Sequence, residues 1–396
     1  MKKAWPASTV FLAVQILAVL GITGSIAHSR HLASERSPKL ELSATARLPQ
    51  PAFDVPDLVS NEQLRAVLLR LQPRFRDKER NVNFIEHALR VWKHDSTFDD
   101  PQCLSGAEMV EILTHHPSYS SAYTSETPPL ISDTPEKLDL RVAGKNAKFG
   151  KSASRHHDHW LACLAESGIG LDHKIQTVRR EIYLRDLLVQ AIQDFRLDDR
   201  EYEWSAMIFA YFMPDQKMWT NDMERRMKFD LIAKRLMRAN DRLGVCNGTH
   251  RLYALALLVQ LHQQNQVLSP DLFDRVCARL KSVSNTLVAS QEDNGGWNRR
   301  WSEGENARDG KDTSTTVDKI LVTGHQLEWL SICPQEIQPP RENLVRAGQW
   351  LVDAVCESSN ETIAEHYTFY SHVVGALSNW RSIRPAQFLS DDLITQ

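Results

Sequence analysis

The run Leu252, Tyr253, Leu255, Ala256, Leu257, Leu258, Leu261 has helical length but no polar face. A helix that is apolar on nearly every side has to be surrounded by other elements. The segment 221–239 is built differently. Asp222, Glu224, Arg225, Arg226 and Lys228 lie on one side, and Met223, Met227, Leu231 and Leu236 on the other. That pattern sets one face on a core and the other in water. Buried helices alternating with amphipathic ones predict two concentric layers, an inner and an outer. Helical periodicity recurs near 57–72, 81–94, 105–115, 156–167, 174–195, 201–212, 221–239, 249–264, 270–290, 317–332, 341–357 and 363–380. No stretch alternates with a period of two, so no strand is expected. The chain reads as all-α, built of helical hairpins. Pro117 to Arg155 and Ser302 to Thr316 are long polar breaks, the kind of loop that covers a site.

The 396 residues are 42% hydrophobic and 24% charged, with a net charge of −3 and both signs interspersed. No basic stripe or acidic tail points to nucleic acid. At the N-terminus, Lys2 and Lys3 precede an apolar run from Val10 to Gly24, and Ser25-Ile26-Ala27 has the form of a cleavage site. Residues 1–27 therefore read as a secretory signal peptide or an uncleaved membrane anchor, the tether running over residues 7–27. Either places the remainder outside the cytoplasm, periplasmic or secreted. Residues 28–56, rich in Ser, Ala and Pro, read as a linker, 57–385 as one domain and 386–396 as a tail. Six cysteines (103, 163, 246, 277, 333, 356) show no metal or small-scaffold spacing. Most read as buried small apolar residues, with one or two disulfides left open.

At Leu287-Val288-Ala289-Ser290-Gln291-Glu292-Asp293-Asn294-Gly295-Gly296-Trp297 the chain resembles the Gln-Trp repeat of squalene and triterpene cyclases. The stretch from Gln291 through Asp318 to Gly324-His325 also resembles a repeat of protein prenyltransferase β subunits. Both families are α/α toroids, rings of helical hairpins around a central cavity. The resemblance implies that fold, and it implies a zinc ligand at His325. The Asp-x-Asp-Asp and Asp-Asp-x-x-Asp motifs of isoprenoid chemistry are absent. The resemblance thus extends to the fold and not to either family's reaction.

Three segments repeat one device, a histidine opening an apolar helical run: His157-Asp158-His159 before Trp160, His250 after Thr249, and His325 after Gly324. An imidazole in a first helical turn is kept neutral by the helix dipole, as a metal ligand or general base must be. Zinc is the candidate cofactor, with His157, His159, His250 and His325 as its ligands. Glu203, beside Trp204 and about to enter an apolar helix, reads as a general acid whose burial raises its pKa. Glu203, His250, His325 and Asp158 form the candidate catalytic set. Trp204, Trp297, Trp329 and Tyr367 are the candidate substrate-binding aromatics. The expected ligand is a small molecule, glycan or lipid held in the central cavity of an enzyme or enzyme relative. Two alternatives stay open: a polysaccharide lyase or glycoside hydrolase on an α/α barrel, and a non-catalytic scaffold binding a peptide or lipid.

Overall fold

A computed structural model describes residues 39–391, apart from 52, 77–79 and 145–146, together with Gln15. The expectations for residues 1–27 lie outside the described residues, Gln15 aside. The chain is 55% helical, and its few strands are short, so it is all-α.

The helices are α1 (Asn61–Arg70), α2 (Val82–Trp92), α3 (Gly106–Thr114), α4 (His116–Ser121), α5 (His159–Ser167), α6 (Leu184–Asp194), α7 (Glu203–Phe212), α8 (Phe229–Arg238), α9 (Thr249–Asn265), α10 (Pro270–Ser290), α11 (Thr316–Ser331), α12 (Arg341–Glu357), α13 (Asn360–Glu365), α14 (Tyr367–Trp380) and α15 (Pro385–Asp391). Six of them contact one another in a cycle: α2 on α5, α5 on α7, α7 on α9, α9 on α11, α11 on α14, and α14 back on α2. The other long helices pack outside: α3 on α2, α6 on α7, α10 on α9, and α12 on α11. The apolar pattern explains the division. Every residue of α7 is buried, and α9 is buried at eleven positions, whereas α10 and α12 bury one face each.

The Gln-Trp motif ties three of these helices together. Gln291 Nε2 donates to the carbonyls of Gly295 and Asn343, both at 2.8 Å, and Trp297 Nε1 donates to Leu287 O at 2.9 Å. Gly295 has φ +101°, and a Cβ there would strike the Arg346 backbone, so the turn requires glycine.

Three expectations change. Two-stranded antiparallel ribbons occur after all: β1 (Ile131–Asp133) with β2 (Leu138–Leu140), β3 (Lys174–Gln176) with β4 (Glu181–Tyr183), and β5 (Trp219–Thr220) with β6 (Arg226–Met227). They take up the first parts of the segments 174–195 and 221–239, and two or three paired residues are too few to register as alternation. The second half of the expected linker is docked. Ser43 and Arg47 N–H donate to Phe212 O and Tyr211 O at the end of α7, and Val55 N–H donates to Trp380 O at the end of α14. The strap thereby satisfies carbonyls that a helix end leaves unpaired. The expected tail begins as α15, with Leu389 buried. All six cysteines are free thiols.

Candidate metal centre

The six-helix cycle points polar groups inward at two levels. At the N-terminal ends of the helices stand His159, first in α5, Trp204, second in α7, and His250, second in α9. His325 and His372 join them from the middles of α11 and α14, and His87 from α2. Ring centroids are 4.4 Å apart for His159–Trp204, 4.5 Å for Trp204–His250, 4.7 Å for His250–His325, 3.5 Å for His325–His372 and 4.5 Å for His87–His159. All of these groups are buried.

Within this cluster the donor atoms of Cys246, His250 and His325 lie within 4.8 Å of one another. Neither nitrogen of His250 has a hydrogen-bond partner among the described residues, and His325 Nε2 has none. A buried polar atom without a partner costs about 1–3 kcal/mol, so three of them on two adjoining rings need an explanation. The other nitrogen of His325, Nδ1, lies 3.3 Å from Glu328 Oε2. That carboxylate orients the ring and leaves Nε2 aimed at the cluster, the usual backing of a metal-bound histidine. Ligand atoms around tetrahedral zinc stand roughly 3.3–3.6 Å apart, given bonds of ~2.0–2.3 Å. A modest inward movement would close the set.

The backbone is contorted to bring Cys246 there. Cys246, Asn247 and Gly248 are all left-handed, with φ +47°, +57° and +82°. Each left-handed non-glycine residue costs roughly 1–2 kcal/mol. The turn is held by Thr249 Oγ1 donating to Cys246 O at 2.8 Å and by Trp301 Nε1 donating to Asn247 O at 3.1 Å. Strain that neighbouring contacts enforce is characteristic of functional positions.

Burial sets the protonation. It pushes His250 well below the usual imidazole value, with His325 and the other histidines adding to the effect. Burial takes His325 down to about 3. It pushes the Cys246 thiol up to about 12. Without a cation the three groups are thus all neutral, and a bound dication would favour release of the thiol proton.

Two further groups lie near. His159 Nδ1 is 2.7 Å from Glu86 Oε2 and its Nε2 is 3.3 Å from Cys163 Sγ. Burial raises Glu86 to about 8 and pushes His159 well down, so this pair shares a proton without carrying net charge. Below it, at the C-terminal ends, Arg90 binds Glu166 at 2.6 Å and Glu328 at 3.0 Å, Tyr211 OH donates to Glu166 at 2.6 Å, and Lys93 Nζ donates to Arg90 O and Glu166 O. His325, Glu328 and His372 also bring three donor atoms close together. Arg90 already lies 3.0 Å from Glu328 and 3.4 Å from His372 Nδ1, so the place of a cation in that group is taken.

The sequence-derived residues divide accordingly. His250, His325, Trp204 and His159 converge. His157 does not: it is half exposed, 2.9 Å from Asp158 Oδ2, and that bond raises its pKa. His159 is no free ligand, since both of its nitrogens are engaged. Cys246 stands where these two were expected. Asp158 accepts from Ser205 at 2.5 Å and faces away with His157. Glu203 is buried, but Arg251 Nε donates to it at 2.6 Å, so it anchors α9 to α7 and is not a free acid. His325 sits in mid-helix, and burial accounts for its neutral state where a helix dipole was expected to. Trp297 and Trp329 bond within the helical framework, Trp329 Nε1 to Gln326 at 2.5 Å. Tyr367 bridges Trp92 and Leu71 O. It lines a cavity of about 840 Å³ with Arg70, Phe75, Phe84 and Ile363, apart from the histidines.

Comparison with models of known protein families, with curated proteins and with solved structures returns no match to this chain.

Proposed function

We propose that the chain is an extracytoplasmic metalloenzyme on an α/α toroid, with one zinc ion held by Cys246, His250 and His325. The toroid reading is supported by the cycle of six inner helices and the outer helices packed on them. The metal reading is carried by one observation: His250 is buried with both ring nitrogens unpartnered, beside Cys246 and the free Nε2 of His325.

Three protein ligands leave a fourth position, the arrangement of catalytic zinc sites and not of structural ones. Zinc so bound lowers the pKa of a coordinated water to about 7, which suits hydrolysis at neutral pH. The protein's own residues have definite tasks. Glu328 fixes the His325 ring through Nδ1. The turn at 246–248 presents the thiol. His159, backed by Glu86, stands beside Trp204 as a neutral wall of the site. Trp204 lies between His159 and His250 and keeps bulk water off both. The proposed substrate class is a small molecule, glycan or lipid fragment.

The test is elemental analysis of the purified full chain beside His250→Ala and Cys246→Ser, each checked for folding by circular dichroism. One zinc per chain, lost in both variants, is the expected result. Replacement by cobalt should give a thiolate charge-transfer band that vanishes in Cys246→Ser. A folded wild-type chain that takes up neither metal would remove the proposal.

A further inference from the structure

The segment that leads into α8 and α8 itself carry a feature unrelated to the metal centre. Arg225, Arg226, Lys228, Lys234 and Arg238 are exposed, and none of these side chains has a hydrogen-bond or ion-pair partner among the described residues. Leu231, Lys234, Arg235 and Arg238 share the outer face of α8 by their three- and four-residue spacing, while Phe229, Ile232, Ala233 and Leu236 are buried beneath. Arg235 lies over the Tyr202 ring at 5.2 Å. The acids nearby are mostly engaged: Asp222 with Arg196 at 2.5 Å, and Asp230 accepting from Ser269 N at 2.9 Å. Glu224 is an exposed acid with no hydrogen-bond or ion-pair partner among the described residues. Two large apolar side chains stand exposed among the cations, Met223 at 50% and Leu231 at 36%. Elsewhere on this protein exposed cations are mostly tied to acids, as Arg341 is to Asp57 and Arg384 to Asp95.

Cations surrounding a few exposed apolar side chains suit the interface of an anionic bilayer, where the charges meet headgroups and the apolar tips enter the acyl boundary. The path of the chain favours the same occupant. Glu41 N–H donates to the Gln216 side chain at 2.8 Å, just before β5, whose Trp219 pairs with Met227 of β6. The N-terminal part of the chain, with its apolar run Val10–Gly24, therefore joins the fold beside the cationic ridge. Residues 25–38 can extend about 50 Å at most, so a bilayer holding that run is within reach of the ridge.

We infer that the β5–β6 hairpin and α8 form a docking face for anionic lipid, which lays the protein against the membrane surface.

The test uses the full chain with vesicles of phosphatidylcholine alone or mixed with phosphatidylglycerol. Acylation rates of Lys228 and Lys234 are read by mass spectrometry against Lys148 and Lys311, whose side chains are 74% and 81% exposed elsewhere. On the mixed vesicles Lys228 and Lys234 should react at least about fivefold more slowly, with Lys148 and Lys311 unchanged, and added salt should reverse the protection. The variant Arg225→Glu/Arg226→Glu/Arg238→Glu alters only exposed side chains. It should keep its fold and its metal content and lose the protection of both lysines. Equal reactivity on the two vesicle types would overturn the inference. So would equal protection by soluble heparin, because the face would then recognise polyanions in general and not a bilayer. Metal content is read on the same samples, so failure of the metal proposal and failure of this one are told apart.

Discussion

The inner helices enclose two polar clusters that are built on opposite principles. At the C-terminal ends, Arg90, Glu166 and Glu328 are buried charges and Lys93 a partly buried one, and each is answered by an opposite charge, a hydroxyl or a carbonyl. Burial pushes Glu328 up, but Arg90 overrides it and holds the carboxyl well below the usual range. At the N-terminal ends the groups are neutral, and His250 and His325 keep three nitrogen atoms without partners. A satisfied network of charges fixes how helices pack. A set of ligand atoms left unsatisfied is tolerated where something else is to bind. On the proposed metal reading, the contrast separates the charges that hold the helices together from the groups that would bind the ion.

Acid should break the two apart, and this is the largest effect expected. Burial holds His87, His159 and His250 well below the ordinary imidazole value and takes His325 to about 3. In the unfolded chain the same groups protonate near pH 6.5. Below that pH the unfolded state binds more protons, so stability falls as pH falls, at up to about 1.4 kcal/mol per unit for each histidine. Glu86 acts with the opposite sign. Its folded carboxyl, raised to about 8, keeps a proton that the unfolded chain releases above about 4.3. Between pH 7.5 and 5 it offsets about one and a half histidines' share. Lowering the pH of the metal-free chain from 7.5 to 5 should cost about 5 kcal/mol, read as a fall in the urea midpoint. A midpoint that stays constant over this range would mean that the histidines are charged or hydrated in the folded protein.

Substitution should sharpen the same contrast. Arg90→Met leaves Glu166 and Glu328 buried and uncompensated, at a cost of about 3–5 kcal/mol in urea unfolding. His250→Ala removes a larger ring but breaks no hydrogen bond, and should cost the metal-free protein under about 2 kcal/mol. If the two variants lose equal stability, the division into a structural and an acting cluster fails.

The sequence carried the layers and half of the site. The all-round apolar character of Leu252–Leu261 and the amphipathic outer helices foretold which helices lie inside. His250 and His325 were recognisable because each adjoins an apolar helical run. His87 was not, since it is a single histidine in mid-helix with no motif about it, and it meets His372 only when α14 returns to α2. Cys246 was passed over because the cysteines show no metal-type spacing and most read as small buried apolar residues. The left-handed residues 246–248 bring its thiol to His250 and His325, which spacing does not reveal. The extent of α11 was read to within a residue, as 317–332, yet His325 was placed in a first turn. Thr315 and Asp318 form a capping box, which places the helix start well before His325. The β ribbons were invisible for a physical reason: strands of two or three residues have no room for a period.

The glycine in that turn offers a smaller perturbation than loss of a buried charge. Gly248 has φ +82°, and a Cβ on it would run into the Asp241 backbone. Gly248→Ala should therefore cost about 1–3 kcal/mol and weaken metal binding along with it, because the turn that presents Cys246 must shift. Urea unfolding and a zinc titration of the same sample check both parts. Weakened folding with unchanged zinc affinity would detach Cys246 from the metal site.

Trp301→Phe probes the last contact. It removes the Nε1 hydrogen bond to Asn247 O, which links the turn Trp301–Arg308 to the strained residues, and leaves a smaller ring in a fully buried site. The lost bond and the small cavity together should cost about 1–3 kcal/mol. Zinc affinity should fall by about tenfold, the low end of what supporting residues around a metal contribute. Competition with a chromophoric chelator measures it. The two clusters would then differ in kind: Arg90 would govern how the helices pack, while Trp301 would govern how firmly Cys246 is presented to the proposed ion.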